Sequence, residues 1–328
     1  MAWDLSAIST GMPVSEAARR ILRSAIDQMQ VAAEHLLDKD DDENEVESVH
    51  KLRVWSRRAG AALDLFANEF EESLLKRTRK KLKKLRRAAG ETRDLDVLLK
   101  RLREAQVHHD AESLQRADQI AIESLRRIRK KRRAELIQTL RKLERKSVWL
   151  WWRRKLVDQV SASGVLTGSL NHQALKILPG EILDFLTHLR RENFDWESIH
   201  ELRIAGKHLR YSLEIMSRCF EPKLIGSSLD ALCAFQDRLG ALNDSYNAER
   251  QIRRLAKNEI SDHRRDALKS LAKSFRSDRK QLASPTDFKD PHLDSILTAL
   301  MTQISEQSPV SHFSGDFSDR ETEGKVVP

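Results

Sequence analysis

Apolar residues recur every three or four positions along most of the chain, the spacing that places them on one face of an α-helix. The first such stretch begins near Ser15, whose side chain could cap a helix N-terminus. The same periodicity predicts further helices at about 47–68, 71–89, 92–102, 110–147, 174–191, 197–219, 223–239, from 243 onward, and 290–305. The pattern therefore predicts a protein built of helices.

Two glycines interrupt this pattern, and each has the chemistry of a residue that follows a helix C-terminus. Each is followed by a residue able to cap a new helix and by an aspartate that suits the positive end of a helix dipole. The residues are Gly90, Thr92 and Asp94 in one segment and Gly240, Asn243 and Asp244 in the other. We predict a helix boundary at both places, while Arg93, beside Asp94, could instead contact a ligand.

The segment 49–58 occurs again in closely similar form 150 residues later, at 199–208. The offset stays constant over about forty-five residues, so that Leu63 falls on Leu213, Gly90 on Gly240 and Asp94 on Asp244. A constant offset over this length indicates an internal duplication. We predict two pseudo-symmetric helical bundles, with repeat halves at about 14–160 and 174–305. A lead-in at 1–13 and a disordered tail at 306–328 would flank this 14–305 domain.

Each copy of the repeated segment carries the pattern His-x-x-Arg-x-x-x-(Arg/Lys), which places three basic side chains within about 60° of one another on a helix. A single cation at a helix edge is usually solvated or ion-paired. Two copies at the same helical phase instead favour two helices that present cations to one shared site. Arg offers a planar fork, Lys a compact charge and His a pH-dependent donor, and together these suit a polyanion. The residues are His50, Arg53 and Arg57, and His200, Arg203 and Lys207.

Other charged residues fall on or beside apolar helix faces. Arg129 and Arg132 interrupt the apolar face of the 110–147 helix, and burying an unpaired charge costs several kcal/mol or more. They must therefore pair with carboxylates or line a cavity that binds an anion, and the sequence leaves both open. Asp64 and Glu214 occupy equivalent repeat positions, and Glu214 lies four residues beyond Arg210, so we expect ion-pair roles for both carboxylates.

Three tryptophans, Trp149, Trp151 and Trp152, lie next to the basic residues 153–155. Aromatic rings interleaved with cations can stack nucleic-acid bases. Tryptophans this close together are more often a packing cluster where a helix meets its neighbours. We favour packing and keep nucleic-acid binding as the alternative.

The composition supports helices and an anionic partner. Only 11 Gly and 7 Pro occur among 328 residues, and 59 Lys and Arg against 50 Asp and Glu give a net charge of +9. Between 76 and 103 the chain has thirteen Lys or Arg and three acidic residues. The segment 38–47 is mostly acidic, and this composition predicts a loop. We therefore expect an all-α protein whose partner is negatively charged.

The remaining signals concern location and catalysis. Cys219 and Cys233 show neither metal-ligand nor redox spacing, and no segment resembles a membrane span or a signal peptide, so we expect a cytoplasmic protein. The phosphate-loop, Gly-x-Ser-x-Gly and His-Glu-x-x-His motifs are missing. The triplet 108–110 is a poor metal site because adjacent histidines face different sides of a helix. We therefore expect a binding protein rather than an enzyme, with no cofactor and no metal.

The duplicated motif, together with Gly-Glu-Thr-Arg-Asp-Leu-Asp-Val at 90–97 and Gly-Ala-Leu-Asn-Asp at 240–244, resembles the CHAD family, the conserved histidine α-helical domain. The resemblance covers about residues 14–305. It implies an all-helical fold of two pseudo-symmetric bundles around a central basic channel that binds inorganic polyphosphate without catalysis. It also implies an association with polyphosphate granules.

Carried onto this sequence, the resemblance implies a set of polyphosphate ligands. They are His50, Arg53, Arg57, Lys80, Lys84, Arg87, His200, Arg203, Lys207 and Arg210. Additional candidates are Arg58, Lys76, Arg93, Arg129 and Arg132. The chain departs from the family pattern at Gly60, where an arginine is usual, and Lys80 and Arg87 are matched by Asp230 and Asp237. We therefore expect an asymmetric site, with the helix at 76–87 supplying most of the cations.

Overall fold

The computed structural model describes residues 3–38, 44–108, 112–158, 168–282 and 288–307, and within these ranges the chain is all-α and has no strand. The helices are α1 (Val14–Leu37), α2 (Glu45–Leu65), α3 (Glu72–His108), α4 (Glu112–Arg145), α5 (Val148–Trp152), α6 (Leu170–Leu189), α7 (Trp196–Met216), α8 (Pro222–Asn258), α9 (Asp262–Leu282) and α10 (Pro291–Glu306). Single 3₁₀ turns follow α2 and α7, and a π-helical turn follows α5. Some predictions concern residues outside these ranges: the middle of the acidic loop at 39–43, His109, Asp110 and the tail beyond 307.

The element boundaries repeat at the same offset of 150 residues as the sequence motif. Helices α3 and α8 begin and end at equivalent positions, and α4 and α9 begin at equivalent positions. The bounds of α2 and α7 differ by one residue after the offset is applied, and the 3₁₀ turns Ala67–Glu69 and Ser217–Cys219 coincide. The duplication in the sequence is therefore also a duplication of local structure.

The predicted helix boundaries at Gly90 and Gly240 are wrong, because α3 and α8 continue through both glycines as 37-residue helices. The Thr92 hydroxyl donates to the carbonyl of Ala88 at 3.2 Å, inside the helix, instead of capping a new one. A glycine within a helix costs about 1 kcal/mol relative to alanine, which packing on both sides of the position can offset. The predicted cap at Ser15 is also wrong, since α1 begins at Val14 after Pro13, with no side-chain cap.

Two separate hydrophobic cores explain why these helices are so long. The larger core lies among α1, α2, α5, α6, α7, α10 and parts of α3, α4 and α8. The smaller core lies among the other ends of α3, α4 and α8 together with α9. It includes Leu95, Leu98, Leu102, Leu125, Ile252, Leu271 and Phe275. Most helix contacts lie within one half of the repeat, and both cores also take residues from both halves, so the two halves pack against each other.

The helices α3, α4 and α8 pass from one core to the other, and we call the level of this passage the waist. It comprises residues 89–95 of α3, 125–136 of α4 and 242–248 of α8, between the last side chain in one core and the first in the other. Because neither core covers these segments fully, polar side chains can face inward here without displacing apolar contacts.

The tryptophan cluster is mainly a packing feature, as predicted. Trp149 and Trp152 are buried and meet edge to face, with 5.4 Å between ring centroids. Trp151 is half-buried, and the charged ends of Arg77 and Lys81 lie 5.3 and 5.5 Å from its ring centroid. These rings therefore join α5 to its neighbours.

Candidate anion-binding site

Helices α2 and α7, which carry the two copies of the repeated motif, pack against each other, and Arg53 of α2 pairs with Asp94 in the waist segment of α3. Their basic faces line one cavity of about 440 Å³, which we call the central cavity. Helices α3 and α8 form its other walls. The polar residues that line it are Arg53, Arg57, Asp94, Arg101, His200, Arg203, Lys207, Asn243, Asp244, Asn247 and Gln251. The structure thus brings five of the six basic residues of the duplicated motif to one place.

Three of these cations are half-buried without an ion-pair partner. Arg57, Arg203 and Lys207 have no carboxylate oxygen within 4 Å in the part of the chain that is described. Burial and the neighbouring charges of Arg203, Arg57 and Arg53 lower the pKa of Lys207 to about 7. Burial, followed by the charge of Arg53, also lowers the pKa of Arg57. The cluster therefore carries an unrelieved repulsion that a bound anion would relieve.

Two aspartates lie beside these cations, one from each copy of the repeat. The Asp94 carboxylate accepts a hydrogen bond from Nη1 of Arg53 at 2.7 Å. Burial raises the pKa of Asp244, and the charge of Asp94 adds to this effect. The predicted role of both at helix N-termini is wrong, because neither lies at a helix end. The sequence did contain a signal for them, namely their equivalence across the offset of 150 residues.

The sequence that forms this site also matches a known protein family. The CHAD domain family model matches residues 20–253, which is more than half of the chain and contains both motif helices. The chain belongs to the CHAD domain family. Its fold is similar to that of the CHAD domain from the plant Ricinus communis, with a TM-score of 0.67, 24% identity, and coverage of 92% of this chain and 94% of that one.

A second similar structure is PptA from Streptomyces chartreusis, with a TM-score of 0.56 and 16% identity. The match covers 89% of this chain and 99% of PptA. No curated protein matches the sequence. At these identities the two structures support the shared fold, so the roles of individual residues must come from the geometry of this CHAD domain.

Not every predicted ligand of the CHAD domain faces the central cavity. Arg58 is only 4% exposed, and its Nη2 donates to Glu214 Oε2 at 2.9 Å while the guanidinium lies over the rings of Trp3 and Trp55. Arg210, half-buried, also pairs with Glu214, at 3.5 Å. The ion-pair role predicted for Glu214 is therefore confirmed, and Arg58 is tied into the protein interior.

The basic residues of the first half of α3 lie elsewhere. Lys76, Lys80, Lys84 and Arg87 are exposed and do not line the central cavity, and Arg87 pairs with Glu91 at 2.8 Å. His50 is half-buried and also lies outside the cavity lining; burial and the charge of Arg93 lower its pKa. The central cavity therefore contains Arg53, Arg57, His200, Arg203 and Lys207 from the predicted set.

Arg129 and Arg132 pair with carboxylates and each also lines a cavity, so the two interpretations that the sequence left open are not exclusive. Arg129 donates to Asp96 at 2.8 Å and pairs with Glu45 at 2.7 Å. Arg132 pairs with Glu135 at 2.7 Å and with Glu91 at 3.3 Å. Both arginines belong to the waist segment of α4, which explains why they interrupt its apolar face. Arg129 and Arg93 line a separate cavity.

Two other predictions concern absences. No group of three or more His, Cys, Asp or Glu that could hold a metal ion occurs among the described residues. None of the helices in the described ranges is long and apolar enough to cross a membrane.

Proposed function

We propose that this CHAD domain binds inorganic polyphosphate in the central cavity. The observation that carries the proposal is the meeting of Arg57, Arg203 and Lys207, from two repeated helices, in one cavity without carboxylate partners. A phosphate chain carries a negative charge on each unit, so it can neutralise several cations at once. Each arginine can bind two phosphate oxygens, and a nearby phosphate favours the charged form of Lys207.

The shape of the waist supports a ligand that is long rather than compact. A neighbouring cavity of about 420 Å³ shares Asp94, Asn247 and Gln251 with the central cavity. It continues along α8 to Arg250 and Arg254. The two cavities together form a path between α3 and α8, in keeping with the basic channel that the family resemblance implies.

The proposed role is binding without catalysis. Of the two carboxylates nearest the cations, Asp94 is engaged by Arg53, and the charges of Arg53 and Arg203 act on Asp244. Both therefore offset part of the positive charge of Arg53 and Arg203. Binding of the polymer would also place the protein at polyphosphate granules.

The test is a calorimetric titration with long-chain polyphosphate. We expect simultaneous replacement of Arg53, Arg57, Arg203 and Lys207 by alanine to lower the affinity about a hundredfold or more, since hydrogen bonds to charged groups contribute about 1.5–3 kcal/mol each. The charge-matched control replaces Arg141, Lys142, Arg145 and Lys146, which are exposed at the end of α4. The control should lose about threefold or less. Equal affinity in the two variants would refute the proposal.

Nucleic acid is the alternative ligand, and competition separates the two. Trp149 and Trp152 are packed against each other inside the protein, and the ring of half-buried Trp151 already contacts Arg77 and Lys81, so the cluster is a poor surface for stacking bases. Single-stranded RNA of equal phosphate content should therefore fail to displace polyphosphate. The affinity for polyphosphate should fall steeply as salt is added, by analogy with counterion release from nucleic acids.

A further inference from the structure

Two further basic cavities lie away from the central one. The first, of about 950 Å³, is formed by the start of α2 with α3 and α4, and the second, of about 510 Å³, by α8 and α9. We call them the first and second outer cavities. Apart from Arg93 and Arg129, none of the ligands expected from the sequence lines either of them.

The two outer cavities are equivalent under the repeat. Six lining residues of the first lie 150 positions before six lining residues of the second, and in four of these pairs both members are basic. The basic pairs are Lys100 and Arg250, Arg103 and Arg253, Arg126 and Arg276, and Arg129 and Arg279. Duplication alone lets such positions diverge, as at Lys80 and Arg87, which are matched by Asp230 and Asp237. Basic residues at four equivalent positions around both outer cavities therefore favour a binding role.

In each outer cavity, ion pairs with carboxylates fix one of these arginines in the cavity wall. Arg129 is fixed by Asp96 and Glu45. Arg279 pairs with Glu249 at 3.0 Å, and its guanidinium lies over the rings of Trp196 and Tyr246. The two halves thus use different partners to hold the same cation in place.

Other cations around each outer cavity have no carboxylate partner. Arg93, Arg103, Arg126 and Lys130 in the first cavity have no carboxylate oxygen within 4 Å in the described parts of the chain. The same holds for Arg250, Arg254, Lys257 and Arg276 in the second. Each outer cavity therefore presents four cations whose charge is not balanced within the protein.

We propose that each outer cavity binds a run of phosphate groups, either from a polyphosphate chain that also occupies the central cavity or from a separate oligophosphate. The proposal shares its ligand chemistry with the proposed function and rests on it in that respect. Some residues line two cavities at once, which supports a single polyphosphate chain that spans them. Arg250 and Arg254 belong both to the second outer cavity and to the path that leads from the central cavity, and Val97 lines both the central and the first outer cavity.

Phosphates fit these cavities better than nucleic-acid bases do. The first outer cavity has no aromatic side chain in its lining. In the second, Tyr246 stacks on Trp196 with 4.1 Å between centroids, and Arg279 lies over both rings. No base-stacking surface is therefore common to both cavities, whereas the cations are.

The first experiment titrates the full chain with inorganic triphosphate. We expect the wild type to bind three triphosphates, one in each cavity. The variant with Lys100, Arg103 and Arg126 replaced by alanine should bind two, as should the variant with Arg250, Arg253 and Arg276 replaced. The variant with all six replaced should bind one. Unchanged stoichiometry in these variants overturns the proposal. Circular dichroism checks that each variant is folded.

The second experiment distinguishes the two sources of phosphate with long-chain polyphosphate. If one chain spans the cavities, the variant with six replacements should lose about tenfold or more in affinity, with a shallower dependence on salt. If the outer sites take separate oligophosphates, only triphosphate binding should change. The charge-matched control replaces six exposed residues that line none of these cavities, namely Arg141, Lys142, Arg145, Lys146, Arg154 and Lys155. The proposal is overturned if the variant with six replacements loses no more affinity than the control, both for long-chain polyphosphate and for triphosphate.

Two further outcomes separate this proposal from others. If the proposed function fails but this inference holds, the variant lacking the four central cations keeps its affinity for long-chain polyphosphate and still binds two triphosphates. RNA binding that is lost in the outer-cavity variants while their triphosphate binding is retained would overturn the proposal in favour of nucleic acid.

Discussion

Two sets of cations on this chain have the same chemistry and opposite surroundings. Lys76, Lys80 and Lys84 project into water from the first half of α3, where solvent and salt screen each charge. Arg57 and Lys207 are half-buried at the waist, and burial together with neighbouring cations lowers both of their pKa values. We infer that the central cavity is marked by cations which the protein has buried without carboxylate partners, whereas the exposed cations of the outer cavities are marked by their equivalence across the repeat. The number of cations in a segment is a weaker guide.

The largest expected effect comes from reversing one charge in each set. Replacing Lys207 by glutamate places a carboxylate in the central cavity, and we expect the affinity for long-chain polyphosphate to fall about a hundredfold, since truncating one partner of a buried charge pair costs about 2–5 kcal/mol. Replacing Lys84 by glutamate makes the same change of charge on the exposed face of α3. We expect a loss of about threefold there, because exposed ion pairs contribute about 1 kcal/mol or less. Calorimetry at one salt concentration measures both.

The Lys84 variant also tests whether the exposed face of α3 takes part in binding. If the Lys84 variant lost as much affinity as the Lys207 variant, the exposed face of α3 would be part of the site, as the sequence had led us to expect. Thermal unfolding of both proteins excludes a loss that reflects misfolding.

A smaller effect is expected from pH. Burial and the charges of Arg203 and Arg57 bring the pKa of Lys207 to about 7 in the free protein, and a bound phosphate raises it. Below pH 7 the amine is charged with or without ligand, so its contribution does not change. Above pH 7 binding must take up a proton, so affinity falls as pH rises. We expect about a tenfold decrease by about pH 9, with proton uptake measurable by calorimetry in buffers of different ionisation enthalpy.

The matched control for this pH dependence is Lys207→Arg. The guanidinium keeps its charge throughout the range, so the decrease in affinity and the proton uptake above pH 7 should both disappear. A decrease that persisted in the arginine variant would have to come from other groups near the cavity. That result would remove Lys207 from its assigned role.

The sequence predicted what depends on local spacing. Helical periodicity gave the fold class and most helices, and the duplication gave the shared site of Arg53, Arg57, Arg203 and Lys207, because both signals lie along the chain. The sequence was a weaker guide to which charged side chains form ion pairs with each other. Arg58 and Arg57 are adjacent in the sequence, yet Arg58 pairs with Glu214, 156 residues away, while Arg57 faces the central cavity. No spacing rule distinguishes the two.

The error at Gly90 has the same origin. Whether a helix ends at a glycine depends on what packs beyond it, and here Leu95, Leu98 and Leu102 enter a second core formed with residues from the other half of the repeat. The sequence does not indicate that core, so the predicted helix end at Gly90 rests on local helix propensity alone. For the same reason Asp94 was assigned to a helix end, although it lies within α3 and faces Arg53.

Asp94 gives the smallest expected effect and the sharpest test of whether unbalanced charge governs affinity. Its carboxylate pairs with Arg53 at 2.7 Å, so a phosphate must compete with it for that guanidinium. Replacing Asp94 by asparagine removes this competition, and we expect polyphosphate affinity to rise about threefold to tenfold, since a partly exposed ion pair contributes about 1 kcal/mol. The control is Asp64→Asn, because Asp64 pairs with exposed Arg79 at 2.6 Å away from the central cavity and should leave affinity unchanged. A decrease in the Asp94 variant would mean that the carboxylate orients Arg53 for the ligand, and charge balance alone would then not explain binding at the waist.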